Sequence, residues 1–162
     1  MSGADAVVCN TGPLIALGLL GRLNRLQTFY QRVVVPETVQ REIFQGGTMR
    51  PGRVELSVEW IEVLPAMSDP VLAAMLDPGE AAVLVLARSL GISHVLMDER
   101  KGRKIARTIL GLTVSGTARL LVDAARAGLI VSARRELETL RAGGYWLGDN
   151  ILAWAEAMEK RQ

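Results

Sequence analysis

Aromatic side chains make up only 4% of the 162 residues, so any core must be packed from aliphatic groups. Cysteine occurs once, at Cys9, which excludes an internal disulfide and leaves a small hydrophobe. Histidine also occurs once, at His94. With no Cys–His pair and no G-x-S-x-G, nucleophilic catalysis has little to work with. Neither G-x-G-x-x-G nor a Walker-type lysine is present, so the usual phosphate-cradling loops are missing. No apolar run reaches the length of a membrane span. The opening "MSGADAVV" has no Lys or Arg ahead of its apolar residues, which argues against a secretory signal. These absences together lead to the expectation of a cytoplasmic protein with no membrane partner.

What is present describes a folded chain. Hydrophobic residues make up 49% and charged residues 22%, which excludes a disordered segment, and the length suits one domain. The short continuous apolar runs AVVCN (6–10) and RVVVP (32–36) read as strands buried on both faces, and WIEVLP (60–65), SHVLMD (93–98) and LTVSG (112–116) read as three further strands. Between them lie helical patterns at 13–26, 36–44, 77–91 and 102–111, with further helices at 118–128 and 133–144 and a last helix, NILAWAEAMEKR (150–161), capped by Asp149. The stretch QGGTMRPG (45–52) carries the strongest loop composition. DPGEAAVLVLARSLG (77–91) has Asp77 as N-cap, Pro78 in the first turn, Glu80 three on from the cap and Gly91 at the far end. Alternating strands and helices predict an α/β fold with a parallel sheet of about five strands between helical layers. The whole of 1–162 reads as a single domain, with about 129–162 as a C-terminal helical extension of the same core.

In an open parallel sheet, ligands sit outside the carboxyl ends of the strands. Asn10 ends the first strand and Asp98 the fourth, while Thr117 follows the fifth. Glu42 borders the apolar stripe of the second helix, next to Ile43 and three on from Val39. Glu80 lies in the first turn of the long helix. Three carboxylates and an amide oxygen drawn to one edge would repel one another unless a cation lay between them, and hard oxygen donors suit Mg²⁺ or Mn²⁺. RKGRKIAR (100–107) puts Arg100, Lys101, Arg103, Lys104 and Arg107 directly after Asp98 and Glu99. Such a run is either a solvated helix start or a phosphate-binding strip beside a metal.

The ordered motifs VVCNTGPLIAL, VVVPETVQREI, DPGEAAVLVLA, VLMDERKGRKIAR, LTVSGTARLL and GYWLGDN closely resemble those of PIN-domain proteins. The likeness is greatest to the branch described only as predicted PIN-domain nucleic-acid-binding proteins, and it extends from Val7 to about Ile151. It implies a three-layer α/β/α PIN-like fold and an acidic pocket for Mg²⁺ or Mn²⁺. It further implies a metal-dependent endoribonuclease, often the toxin of a toxin–antitoxin pair and often a homodimer. The family's acidic positions carry over onto Asn10, Glu42, Glu80 and Asp98 as catalytic and metal-binding residues. Thr11, Glu99 and Thr117 would play supporting parts. The substrate implied is single-stranded or structured RNA, held by Arg100, Lys101, Arg103, Lys104 and Arg107, with a small antitoxin protein as a further partner.

The sequence departs from the family at the first acidic position, where Asn10 replaces an aspartate and removes one negative charge. Two readings therefore stand side by side: a nuclease with a weakened metal site, and a catalytically inactive module that binds RNA or a protein. A receiver- or flavodoxin-like domain for a small phosphorylated ligand is a third, disfavoured by the missing glycine loop. Some residues also carry ordinary structural explanations. Asn10 suits a turn, and Glu80 completes a capping box, a role that calls for a different rotamer from metal ligation. His94 reads as a packed or edge residue. Tyr145 and Trp146 are expected to pin the C-terminal helices to the core.

Overall fold

The computed structural model describes residues 5–45 and 58–161. Most of the loop-like 45–52 stretch, from Gly46 onward, lies outside them. The chain forms two compact units, 1–115 and 116–162.

The first unit is built on five strands: β1 (Ala6–Cys9), β2 (Arg32–Pro36), β3 (Ile61–Leu64), β4 (His94–Leu96) and β5 (Thr113–Ser115). All pairings are parallel and the spatial order is β3-β2-β1-β4-β5. Val7 faces Val33 on one side of β1, and Val8 faces Val95 on the other. Val7, Val8, Val34, Val35, Val95 and Leu96 have essentially no exposure, which is why these strands read as unbroken apolar runs. The connecting helices are α1 (Thr11–Leu19), α2 (Arg25–Phe29), α3 (Glu37–Gln45), α4 (Pro70–Met75), α5 (Pro78–Leu90) and α6 (Arg100–Thr108). Right-handed crossovers place the helices leading outward through β2 and β3 on one face, and those leading the other way on the opposite face. The result is the expected three-layer α/β/α arrangement around a parallel sheet.

The long helix follows its sequence closely. Asp77 Oδ1 accepts from the Glu80 backbone N–H at 2.8 Å, and Glu80 Oε2 accepts from the Asp77 N–H at 3.2 Å, closing the capping box. Gly91 ends the helix in a left-handed conformation, φ 67°. Ala81 to Ala87 are all buried, as an all-round apolar segment requires.

Two other segments depart from expectation. The helix expected over 13–26 is broken, because Gly21 turns left-handed at φ 66° and the chain restarts at α2. The short α4 was not anticipated, although Asp69 caps it through Oδ1 onto the Val71 and Leu72 N–H groups and Pro70 opens it.

The second unit holds α7 (Thr117–Arg126), α8 (Ala133–Ala142) and α9 (Asp149–Glu159), which pack on one another. The Glu159 carboxylate accepts from Ser132 Oγ and the Ala133 N–H, tying the end of α9 to the start of α8. Asp149 does not cap α9 as expected. Gly148 holds the cap position, and Asp149 accepts instead from Arg141 at 2.6 Å. Trp146 does not serve as a core pin either: it is 88% exposed in the α8–α9 connection.

Candidate functional site

The strand order reverses at β1, flanked by β2 on one side and β4 on the other, and this switch point is where an open parallel sheet leaves a crevice. Asn10 follows β1 there, held by its backbone N–H on the Leu96 carbonyl at 2.9 Å. Asp98 follows β4 two residues after Leu96 and is half-buried. Asn10 is buried, and its side-chain oxygen has no hydrogen-bond partner. A buried polar atom without a partner is uncommon and calls for an explanation such as a catalytic role, a bound ion or an ordered water.

The remaining acids are arranged as a series of neighbours. Thr11 Oγ1 donates to Glu42 Oε2 at 2.7 Å, joining the first residue of α1 to α3. The Glu42 carboxylate lies over Gly79 in the first turn of α5, so close that a Cβ built there would stand 2.6 Å from Oε1. Next in the chain is buried Glu80, whose Oε2 closes the capping box while its Oε1 faces Gly102 of α6. Burial pushes the Glu80 carboxyl above its ordinary range, and the negative charges of Asp77 and Glu99 add to the effect. Capping and an inward-facing oxygen therefore coexist in one rotamer. Glu99 itself is exposed at the N-cap position of α6 and makes no side-chain capping bond.

The basic strip divides by role. Arg103 donates from Nη1 to the Met97 carbonyl at 2.8 Å, and Arg107 from Nη2 to the Val114 carbonyl at 3.2 Å, so both brace strand ends. Burial, then the neighbouring Arg107 charge, lowers the Arg103 pKa, while Asp98 opposes the shift. Arg100, Lys101 and Lys104 are exposed on α6. Thr117 opens α7 in the second unit and is buried.

Among the described residues, no three His, Cys, Asp or Glu side chains stand close enough to hold a metal ion together. The donors nonetheless fit a hard cation in kind. All are oxygens, one is an unpartnered buried amide oxygen, and Mg²⁺ commonly keeps several waters and takes only one or two carboxylates. Motif reading overlooked Gly79 and Gly102, whose missing side chains leave room for Glu42 and Glu80. A glycine inside an otherwise strong helical pattern was the available signal.

No helix among the described residues is long and apolar enough to cross a membrane. Residues 6–159 match the family model described as "PIN domain". No curated protein and no solved structure matches the chain.

Proposed function

The chain belongs to the PIN-domain family, and on that premise we propose that it is a divalent-metal-dependent endoribonuclease of the toxin–antitoxin type, acting on single-stranded or structured RNA. The observation that carries the proposal is the unpartnered, buried oxygen of Asn10, just past β1 at the switch point of the sheet. Asn10 and Asp98 would hold Mg²⁺ or Mn²⁺, with Glu42 and Glu80 acting on the ion through waters that it keeps. A bound ion of this kind lowers the pKa of a water and offsets charge on a phosphodiester. Thr11 fixes one oxygen of Glu42. Arg100, Lys101 and Lys104 supply exposed positive charge for the RNA backbone, while Arg103 and Arg107 keep α6 fastened to the strand ends. Glu99 remains a supporting residue in this reading. A small antitoxin protein, a homodimer and a cytoplasmic site of action belong to the same proposal.

One observation favours the alternative, an inactive PIN module that binds RNA or a protein: Asn10 brings no charge, and among the described residues no three acids gather on one point. Cleavage of single-stranded RNA separates the two. The nuclease reading expects Mn²⁺-dependent cleavage that disappears on chelation and in Asp98→Ala. Activity that survives Asp98→Ala overturns the site assignment. A wild type that is silent until Asn10→Asp restores the carboxylate supports the inactive module.

A further inference from the structure

We propose that Gly79 is a positioning residue for Glu42: its bare Cα is the seat on which the Glu42 carboxylate rests, so a missing side chain on α5 fixes a charged group carried by α3. The inference deepens the reading above and rests on it for the role of Glu42 at the site.

A Cβ added at Gly79 would lie 2.6 Å from Glu42 Oε1, 2.7 Å from Oε2 and 2.9 Å from Cδ. All three atoms belong to the free end of one flexible side chain, and none is backbone. An added methyl group would therefore leave the fold in place and displace the carboxylate. In moving, Glu42 would give up the 2.7 Å bond from Thr11 Oγ1 that now orients it.

Backbone conformation does not call for glycine here. Gly79 is not among the positive-φ glycines, so its backbone conformation is open to any L-residue. It lies in the first turn of a capped thirteen-residue helix, where alanine is the better helix former. The chain thus carries the weaker helix former at the point where a carboxylate from another helix is packed against the backbone. The seat also lies at the positive end of the α5 dipole, which favours a negative group. Gly102 differs, since a Cβ there would first meet the Met97 thioether at 2.5 Å and Glu80 Oε1 only at 3.2 Å. It mixes packing with positioning, whereas at Gly79 the three nearest atoms all belong to the carboxylate.

The experiment is a double-mutant cycle in the full chain, combined with Mn²⁺ titration followed by electron paramagnetic resonance. Gly79→Ala is expected to fold with a Tm at or slightly above that of the wild type. Thr11→Val should lower Tm by a few degrees on its own and have no further effect in Gly79→Ala, where the Thr11–Glu42 bond is already lost. Mn²⁺ affinity should fall on the order of 10–100-fold in Gly79→Ala, the usual range for a position that orients a ligating group. Affinity should return in Gly79→Ala/Glu42→Asp, whose carboxylate is one methylene shorter.

Additive Thr11 and Gly79 effects on Tm would overturn the proposal whether or not the ion binds, and so would unchanged affinity in Gly79→Ala. A non-additive cycle in a protein that binds no Mn²⁺ leaves the seat standing and sinks the metal-site reading, so the two failures are distinguishable. Should Gly79→Ala fail to fold, Gly79→Ala/Glu42→Ala decides the matter. Folding of that variant identifies Glu42 as the group the methyl meets, and its failure overturns the inference.

Discussion

His94, at the start of β4, and Asn10, just past the end of β1, are polar groups set into the same apolar sheet, but only His94 has its side chain answered. His94 Nε2 shares a hydrogen bond with Ser115 Oγ at 2.9 Å and approaches the Tyr30 hydroxyl at 3.4 Å. The Tyr30 ring meets it edge-on, with centroids 5.3 Å apart. Asn10 is more deeply buried, and its oxygen points to no donor. Polar groups kept for architecture are satisfied from within, because an unmet buried valence costs stability. A polar group left unmet just past a strand end, at the switch point of the sheet, is the pattern of a site whose partner comes from outside the chain. The histidine thus belongs to structure and the asparagine to the proposed site, as their sequence positions already suggested.

Removing the satisfied group should cost more than removing the unsatisfied one. His94→Leu deprives Ser115 of its partner and Tyr30 of its ring contact, and should destabilise the fold by about 1–3 kcal/mol in thermal or urea unfolding. A loss near zero would place His94 outside the structural group. Asn10→Leu, similar in size, should act in the opposite direction. Without divalent ions it removes an unpaired oxygen from a buried setting and should stabilise by about 1–2 kcal/mol. Destabilisation of that size would mean that Asn10 holds the β1–α1 turn together and would weaken its place in the site.

The same contrast explains what could be read in advance. Strand runs such as Val33–Val35 and the capping box at Asp77 and Glu80 are local patterns, set by burial on both faces and by four adjacent residues. They appeared where expected, and with them the α/β/α layering and the edge carrying Asn10 and Asp98. The 13–26 helix failed because leucine spacing continued through Gly21, whose left-handed turn outweighed the apolar period. Asp69–Pro70 carries the same start signal as Asp77–Pro78, but the helix behind it is six residues long, too short to show a period. Trp146 looked like core by residue type alone, yet the α8–α9 connection leaves it exposed. Side-chain direction was least accessible. That Thr11 reaches Glu42 and that Glu80 turns its second oxygen to Gly102 depend on contacts between segments distant in sequence, and the grip of Arg103 on Met97 depends on how α6 folds back on the end of β4.

The smallest effect concerns pH. Burial depresses the His94 pKa below its ordinary value of about 6.5. The unfolded chain therefore takes up a proton at a higher pH than the folded chain does. Stability from this group is fully present above about pH 6.5 and falls as pH drops through the window down to the depressed folded value, by no more than about 1.4 kcal/mol per pH unit for one proton. Glu80 works in the opposite sense. Its raised folded pKa gives a contribution that is present below about pH 4.5 and lost as pH rises through the folded value. Subtracting the His94→Leu curve from the wild-type curve cancels Glu80 and the other carboxylates. The difference should be flat above neutrality and shrink in acid. A difference that grows in acid would mean that the His94 ring is stabilised in its charged form, and the contrast with Asn10 would then lose its structural half.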